Sequence, residues 1–339
     1  MPQHIRLLIT EDASSPFVAH LHESQAEQQF DLLIPKQGSE AELCTLARRA
    51  DAALCYQGLL NAAIIDAAQG LRFIQKHGRN VRNIDIAAAA RRNIPVATMP
   101  LMRTVTVAEH AMALMLACAR KIIPAHQAVI SAAYRTMDLT PIATSQRNYR
   151  SNWAGIQGIT ELFRATVGIV GMGDIGMEIA RRCQAFDMHI GYYQRTRHDE
   201  TTEHAFGMRY APLERLLAES DFIVLALPHT PETEGIIGAK SLACMKPTAT
   251  LINVGRGGLI DEAELSDALR GNRIAMAGLD VYRTEPLPAD SPLLTRPNVV
   301  LLPHTGGGST RSWHVDVPAV LSNIKRFFAT GQAHGVLPL

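Results

Sequence analysis

Three glycines stand between a short apolar run and a helical pattern near the middle of the chain. They are Gly171, Gly173 and Gly176, within the sequence Gly171-Met172-Gly173-Asp174-Ile175-Gly176. In such a turn the first glycine permits a tight bend, the second lets the backbone approach a phosphate, and the third lets the helix pack against the strand. The helix N-terminus also attracts anions. The spacing therefore predicts a bound dinucleotide, with its pyrophosphate on this turn.

The end of the next apolar run carries arginines where an acidic residue is typical of NAD-binding proteins. An Asp or Glu about 20 residues beyond the glycines would bind the ribose. The sequence here is Gln194-Arg195-Thr196-Arg197, and Asp199 and Glu200 come later. A guanidinium suits a 2′-phosphate dianion, and the missing carboxylate removes a repulsion. We expect NADP to be preferred, with NAD possible. The alternative is that the arginines form a solvated turn and backbone groups hold the ribose.

Short apolar runs separated by helical patterns must position these residues. Five runs come first, at 5–9, 31–34, 52–56, 71–74 and 94–97, and six follow, at 165–170, 188–193, 222–227, 250–254, 275–280 and 299–303. Runs of this length between helices predict two parallel sheets. A long helix over 104–123 and a polar stretch over 136–158 separate the two series. A last helix over 309–328, ending at Gly331, is expected to fold back on the first domain.

Length and charge limit the kinds of partner. At 339 residues the chain fits two domains of roughly 100–200 residues each. A formal net charge of +1 and a hydrophobic content of 47% show no bias toward nucleic acid or anionic membrane, and we expect neither as a partner. The longest apolar window, 105–123, contains charged residues such as Glu109 and Lys121, which favours a buried helix over a membrane span.

The cysteines indicate a reducing compartment and no metal site. They lie far apart, without a CxxC pair or a Cys/His spacing suited to zinc: Cys44, Cys55, Cys118, Cys183 and Cys244. We expect free thiols. The N-terminus has no charged segment leading into a long apolar stretch, so no secretory signal is expected. A cytoplasmic location follows as an expectation.

Three further motifs complete a pattern with the glycine turn. They are Asn253-Val254-Gly255-Arg256-Gly257-Gly258-Leu259-Ile260-Asp261-Glu262, then Gly278-Leu279-Asp280-Val281-Tyr282 continuing to Glu285-Pro286, then Leu302-Pro303-His304-Thr305-Gly306-Gly307. In this order they resemble the D-isomer-specific 2-hydroxyacid dehydrogenase family, which includes glyoxylate/hydroxypyruvate reductases and phosphoglycerate dehydrogenases. The resemblance extends from about Leu71 to the C-terminus. The first seventy residues match only in their strand-helix rhythm.

The resemblance implies that Arg256, Glu285 and His304 form the catalytic set. Reduction of a 2-oxo acid needs a proton donor at the carbonyl oxygen, and His304 suits that role. Glu285 beside the imidazole would stabilise its protonated form and orient it. Arg256 would bind the substrate carboxylate and polarise the carbonyl. Because ligands bind beyond the carboxyl ends of parallel strands, the positions of these residues after predicted strands are consistent with those roles.

The resemblance also implies further binding residues. Asp280 is expected near the nicotinamide, although it could instead cap a strand end. The expected cofactor set adds residues at the ends of other predicted strands: Leu227, Pro228, Thr233, Val254, Gly255 and Gly306.

Two segments of the first domain resemble the family's substrate-binding loops. The segment from Lys76 to Asp85 resembles a loop whose amides receive the substrate carboxylate, and Lys76, Gly78, Arg79 and Asn80 are its expected binding residues. Asn80 stands where a glycine is usual, and asparagine tolerates left-handed geometry. The charges of Lys76 and Arg79 suit an acidic substrate or lie on a solvated face. Met102 and Arg103 depart from the family's usual residues, so the acid itself stays open.

The resemblance implies an α/β fold of two Rossmann-like, doubly wound parallel-sheet domains with a cleft between them. A flavodoxin-like substrate domain is expected over 1–104 and 305–339, and a Rossmann coenzyme domain over 105–304. The region 124–153 is expected to form a homodimer contact, with apolar surface from Ala128, Val129, Ile130, Ala132, Ala133 and Tyr134.

The leading hypothesis is an NADPH-dependent reductase that converts hydroxypyruvate, glyoxylate or a larger 2-oxo acid to a D-2-hydroxy acid. One alternative is a cofactor-sensing scaffold, since some relatives act as transcriptional corepressors. Another is formate or phosphite oxidation on the same fold. The formate enzymes place a glutamine before the histidine, where this chain has Pro303.

Overall fold

The computed structural model describes residues 4–24, 30–309 and 311–338. The chain divides into two compact units. Unit 1 consists of Met1–Arg103 and Gly308–Leu339, and unit 2 of Thr104–Gly307. The assignment of substrate to one unit and cofactor to the other remains a prediction.

Unit 1 is a five-stranded parallel sheet covered by helices on both faces. Its strands are β1 (Ile5–Ile9), β2 (Phe30–Leu33), β3 (Ala52–Cys55), β4 (Phe73–Lys76) and β5 (Val96–Thr98), in the order β2-β1-β3-β4-β5. Its helices are α1 (Pro16–Glu23), α2 (Glu40–Ala47), α3 (Ala62–Ala67), α4 (Ile86–Arg91) and the C-terminal α12 (Ser312–Thr330). Apolar residues of α2, α3 and α4 cover one face of the sheet, and those of α1 and α12 cover the other. This is the flavodoxin-like strand order.

The last helix returns to the sheet of unit 1, as expected. The Asn323 side chain donates to Gln75 Oε1 at 2.7 Å, and the rings of Phe73 and Phe327 stack with centroids 4.3 Å apart. The helix ends at Gly331, whose φ of 72° is the left-handed geometry that glycine adopts without strain.

Unit 2 is a seven-stranded parallel sheet of Rossmann type. Its strands are β6 (Thr166–Val170), β7 (His189–Tyr193), β8 (Met208–Tyr210), β9 (Phe222–Leu225), β10 (Thr250–Asn253), β11 (Met276–Leu279) and β12 (Val299–Leu301), in the order β12-β11-β10-β9-β6-β7-β8. Its helices are α5 (Met102–Ala119), which begins two residues before the unit does, α6 (Ile122–Ile130), α7 (Asp174–Ala185), α8 (Glu200–Ala205), α9 (Leu213–Glu219), α10 (Ala239–Cys244) and α11 (Glu262–Arg270). The strand order reverses between β6 and β9, which is where such sheets bind ligands.

The predicted fold class is confirmed, with local differences. Strand β8 was not predicted, because three residues with one exposed arginine give no recognisable alternation. The long helix predicted over 104–123 is two helices. It ends at Ala119, and Lys121 at a φ of 54° turns the chain before α6 starts. Strands β4 and β5 each begin two residues later than predicted.

The structure also shows the state of the cysteines and the lengths of the helices. All five cysteines are free, with Cys55, Cys118 and Cys183 buried and Cys44 and Cys244 partly buried. Within the three described ranges, no cluster of His, Cys, Asp or Glu could hold a metal ion. Of the helices described, none is by itself long and apolar enough to cross a membrane, although the bent pair α5 and α6 is when taken together.

Candidate active site

The glycine turn after β6 has no space for a side chain at its first and third glycines and open space at its second. Gly171 has a φ of 99°, and a Cβ there would lie 2.7 Å from Leu227 Cβ. A Cβ on Gly176 would lie 2.3 Å from the Gly171 carbonyl oxygen. Nothing lies within 4 Å of a Cβ built on Gly173, which is the N-cap of α7 and has no side chain to cap the first amides. The turn therefore presents open space in front of a helix N-terminus, as a pyrophosphate requires.

The arginines after β7 have different surroundings. Arg197 is forked onto Glu203, with Nε 2.8 Å from Oε1 and Nη2 2.6 Å from Oε2. The Tyr192 hydroxyl also donates to Glu203 Oε1 at 2.7 Å. These bonds, led by that of Arg197, lower the pKa of Glu203 to about 2. Arg195 is exposed, and the Gln194 side chain donates to the carbonyl of Thr196 at 2.5 Å.

The acids that come too late to bind a ribose have another role. Asp199 caps α8 by accepting from the Thr202 amide at 2.8 Å. Glu200 lies in the first turn of the same helix. Neither therefore stands at the strand end where the ribose of NAD is usually bound.

Three residues predicted as the catalytic set line one cavity of about 480 Å³ in unit 2. Arg256 follows β10, Glu285 follows β11 and His304 follows β12. The order of the strands places these loops side by side at the carboxyl edge of the sheet. Arg256 donates from Nη1 to the Gly255 carbonyl at 2.6 Å.

Glu285 and His304 form a directly bonded pair. His304 Nδ1 lies 2.6 Å from Glu285 Oε2, and Glu285 Oε1 accepts from the Tyr282 amide at 3.0 Å. Partial burial opposes ionisation of Glu285, but the bonds from His304 and Tyr282 and the charge of Arg256 outweigh it and lower the pKa of this carboxyl. With Nδ1 bonded to the carboxylate, Nε2 is the ring nitrogen left for proton transfer. The φ of 56° at His304 is a strained value for this residue type.

Asp280 holds the loop that follows His304. Its two carboxylate oxygens accept from the amides of Thr305 at 2.9 Å and Gly306 at 2.8 Å. A Cβ on Gly306 would lie 2.9 Å from Asp280 Oδ2, so this glycine is needed for the close approach. His110 Nε2 lies 3.0 Å from Asp280 Oδ1 but outside hydrogen-bonding geometry, so this contact is electrostatic.

The remaining expected cofactor residues lie at the ends of neighbouring strands. Leu227 and Pro228 follow β9, and the Thr233 hydroxyl donates to the Pro228 carbonyl at 2.9 Å. Val254 and Gly255 follow β10, and the Gly255 amide donates to Asn253 Oδ1 at 3.0 Å. The loop after β9 lies at the reversal point of the strand order, and the loop after β10 lies next to it.

The residues of unit 1 that are expected to bind substrate differ in their exposure to solvent. Arg79 and Asn80 are exposed, whereas Lys76 is buried and donates to the carbonyl of Tyr56. The prediction that Lys76 lies on a solvated face is therefore wrong. The left-handed geometry suggested for Asn80 is also wrong, since the positive φ belongs to Gly78, at 105°.

Met102 and Arg103, at the start of α5, each make a hydrogen bond to another residue of unit 1. The Met102 amide donates to Asp316 Oδ1 at 2.8 Å, and Arg103 Nη2 donates to the Tyr56 hydroxyl at 3.0 Å. The latter bond keeps the Arg103 guanidinium beside an aromatic ring of unit 1.

Comparison with known proteins decides the family. Residues 112–306, more than half of the chain, match the family model described as D-isomer specific 2-hydroxyacid dehydrogenase, NAD binding domain. The chain belongs to the D-isomer-specific 2-hydroxyacid dehydrogenase family. The family predicted from the motifs is thus confirmed, and with it an oxidoreductase with a dinucleotide-binding domain.

The chain is similar to proteins of this family that are named as reductases. The chain is 36% identical over 294 residues, 85% of each protein, to glyoxylate/hydroxypyruvate reductase B of Yersinia pestis. It is 39% identical over 256 residues, 75% of this chain and 72% of the relative, to glyoxylate reductase of Korarchaeum cryptofilum.

Solved structures in the family have the same fold. The NADPH-dependent glyoxylate/hydroxypyruvate reductase of Sinorhizobium meliloti with citrate superposes with a TM-score of 0.73 at 28% identity, over 98% of this chain and 97% of that one. A glyoxylate reductase of Paecilomyes thermophila gives 0.70 at 27% identity, over 100% and 99%.

Sequence reasoning missed two groups of residues in this 2-hydroxyacid dehydrogenase. His77 is buried against Trp313, with ring centroids 5.5 Å apart, and neither of its ring nitrogens is hydrogen-bonded. The other group is His229, Glu234 and Arg283, which line the same cavity as Arg256. A histidine and a glutamate five residues apart after a strand were the only signal for this second group, and their partner is distant in sequence.

Proposed function

We propose that the chain is an NADPH-dependent reductase that converts a 2-oxo acid, such as glyoxylate, hydroxypyruvate or a larger 2-oxo acid, to the D-2-hydroxy acid. The observation that supports it most strongly is the 2.6 Å contact between His304 and Glu285 in the cavity that Arg256 also lines. A bonded acid-base pair beside a guanidinium is what reduction of a carbonyl next to a carboxylate requires.

In this proposal the bound dinucleotide supplies the hydride, and the side chains supply the rest. Arg256 forks onto the substrate carboxylate and draws electron density toward the carbonyl oxygen. His304 gives the proton on Nε2 to that oxygen as it becomes an alkoxide. Glu285 stabilises the imidazolium before transfer and keeps the ring in one orientation. Gly78, Arg79 and Asn80, with Lys76, Met102 and Arg103 nearby in unit 1, are the proposed substrate-binding residues on the strength of the family motif.

The cofactor would be held by the glycine turn and the loops beside it. Gly171, Gly173, Asp174, Ile175 and Gly176 would cradle the pyrophosphate; Leu227, Pro228, Thr233, Val254, Gly255, Asp280 and Gly306 would line the rest. The open space at Gly173 and the uncapped N-terminus of α7 fit a phosphate.

We further propose that NADPH is preferred, with NADH possible, and that Arg195 carries most of the preference. Arg195 is exposed next to Gln194 and Thr196, whereas Arg197 is bound to Glu203 through Nε and Nη2. The NADPH dependence of the relative from Sinorhizobium meliloti is consistent with this proposal.

The test is oxidation of NADPH by the purified chain with a panel of 2-oxo acids, followed by chiral analysis of the product. We expect turnover with at least one acid and the D product. Negligible turnover with every acid would favour the scaffold alternative. Reduction of NADP⁺ or NAD⁺ by formate or phosphite, measured in a separate assay, would favour the other enzyme class. A clear preference for NADH would contradict the cofactor assignment.

We also propose a homodimer with its contact in the region 124–153, which begins within α6. Val129 and Ile130 are 62% and 61% exposed, and Ala128, Ala132, Ala133 and Tyr134 lie beside them, partly buried. Two copies of such an apolar face can cover each other around a twofold axis. Light scattering that returned the mass of one chain would contradict it.

The cytoplasmic location stays a prediction, for which fractionation of cells is the measurement.

A further inference from the structure

The loops after β9 and β11 are joined by one carboxylate that has no role in the proposed proton transfer. Glu234, in the loop after β9, contacts the ring of His229 through Oε2. Its other oxygen, Oε1, lies 2.7 Å from Nη1 of Arg283, which belongs to the loop after β11. Strand β10 lies between β9 and β11 in the sheet. The carboxylate therefore spans the loop that follows β10.

The loop after β10 is packed between these groups without space for a side chain. A Cβ on Gly257 would lie 1.8 Å from the carbonyl carbon of Tyr282. A Cβ on Gly258 would lie 2.6 Å from the His229 ring and 3.1 Å from Glu234 Oε2. The Gly235 amide also donates to the Gly258 carbonyl at 2.8 Å. Any shift of His229 or of the backbone at 282–283 toward this turn must therefore move it.

The same contacts adjoin both parts of the proposed catalytic set, which are Arg256 and the pair of Glu285 and His304. Arg256 directly precedes the packed turn. The Tyr282 amide, next to Arg283, donates to Glu285, which in turn is bonded to His304. Glu234 thus lies between the residue that would bind the substrate carboxylate and the pair that would move the proton.

We propose that Glu234 is a positioning residue: by holding His229 and Arg283 together, it clamps the Gly257-Gly258 turn and keeps Arg256 in register with Glu285 and His304. Both partners present hydrogen-bond donors, and the bonds from His229 and then Arg283 lower the pKa of the Glu234 carboxyl, so it is ionised near neutral pH. A glutamine there is uncharged. Its amide cannot bond the Arg283 guanidinium, which has no acceptor, and can bond His229 only if the ring proton moves to Nδ1. Glu234→Gln therefore removes the ion pair with Arg283 with little change in volume.

This inference rests on the proposed function for its kinetic test. The experiment measures KM and kcat for the best 2-oxo acid in the wild type, Glu234→Gln and Glu219→Gln. Glu219 is a matched control, since it is 38% exposed against 40% for Glu234 and pairs with two arginines, Arg209 and Arg215. We expect Glu234→Gln to raise KM about tenfold, with kcat changed by less than about threefold and NADPH affinity unchanged, because the lost alignment affects carboxylate binding. Glu219→Gln should match the wild type.

A double-mutant cycle tests the clamp as a unit. Arg283→Gln removes the other end, so the combined Glu234→Gln and Arg283→Gln variant should be no worse than the poorer single variant. Additive losses would mean that the two residues act independently, and would overturn the proposal. So would a Glu234→Gln variant whose KM equals that of Glu219→Gln.

Hydrogen exchange gives a readout that does not depend on turnover. The amides of Leu259 and Ile260 donate to the carbonyls of Arg256 and Gly257 within the clamped turn. We expect them to exchange faster in Glu234→Gln and at the wild-type rate in Glu219→Gln. Unchanged exchange would contradict the clamp. Absence of turnover in the wild type would reject the proposed function alone and leave the clamp to be decided by this measurement.

Discussion

Arg197 and Glu203 lie six residues apart and are joined by two hydrogen bonds of 2.8 and 2.6 Å, so the second arginine after β7 is held by the protein itself. The carboxylate also accepts from Tyr192, which is fully buried. The two arginines that look alike in the sequence therefore have different surroundings: Arg197 is bonded to Glu203, and Arg195 is exposed.

Substitution of the two arginines should separate their roles. Arg195→Ala should weaken NADPH binding by at least about tenfold and leave NADH binding nearly unchanged, because it removes a charge that only the 2′-phosphate needs. Arg197→Ala should weaken both and lower the stability of the protein, because Glu203 loses the two charged hydrogen bonds that hold it. Fluorescence titration with each dinucleotide and urea unfolding measure these effects. An Arg197→Ala variant that lost only NADPH would contradict the division.

The glycine turn offers a matched pair of alanine variants. Gly171→Ala places a methyl group 2.7 Å from Leu227 at a φ of 99°, so it should lower the melting temperature by several degrees. Gly173→Ala meets no protein atom within 4 Å and should leave the melting temperature unchanged. We nevertheless expect it to weaken dinucleotide binding, because the methyl group occupies the approach to the phosphate. Unaltered binding by Gly173→Ala would show that the pyrophosphate lies elsewhere.

The pair of Glu285 and His304 should control the rate. His304→Gln should lower kcat by about 100- to 10,000-fold, the range for loss of a general acid. Glu285→Gln should lower it less, since the histidine remains but loses the carboxylate that stabilises its protonated form. Steady-state kinetics measures both variants, with Glu219→Gln as the control. A Glu285→Gln variant with the kcat of the wild type would count against the pairing.

His77 predicts a pH-dependent loss of stability. Burial, followed by the charges of Lys76 and Arg103, lowers the pKa of His77 to about 3. Below the ordinary pKa near 6.5 the unfolded chain binds a proton that the folded chain does not, so stability falls as pH falls through this window. Between pH 8 and pH 5 the loss from this residue is about 2 kcal/mol. His77→Phe should remove that part of the loss in denaturant unfolding, and equal pH dependence in variant and wild type would refute it.

Local sequence determined most of the framework. Apolar runs of four to six residues set the strands because a buried parallel strand needs apolar residues on both faces. The glycine turn could be recognised from the sequence because each glycine meets a requirement of the local backbone, such as the positive φ at Gly171. Asn253 to Glu262, Gly278 to Pro286 and Leu302 to Gly307 identified the family, since their order along the chain is itself the information.

The tertiary structure decided which side chains meet. The sequence alone does not distinguish the surroundings of Arg195 from those of Arg197. They differ because α8 folds against the end of β7 and brings Glu203 to Arg197. Glu234 and Arg283 are far apart along the chain, and they meet because β9, β10 and β11 are neighbours in the sheet. Pairings of this kind depend on how several loops converge at one sheet edge, a long-range property that local pattern and propensity do not contain.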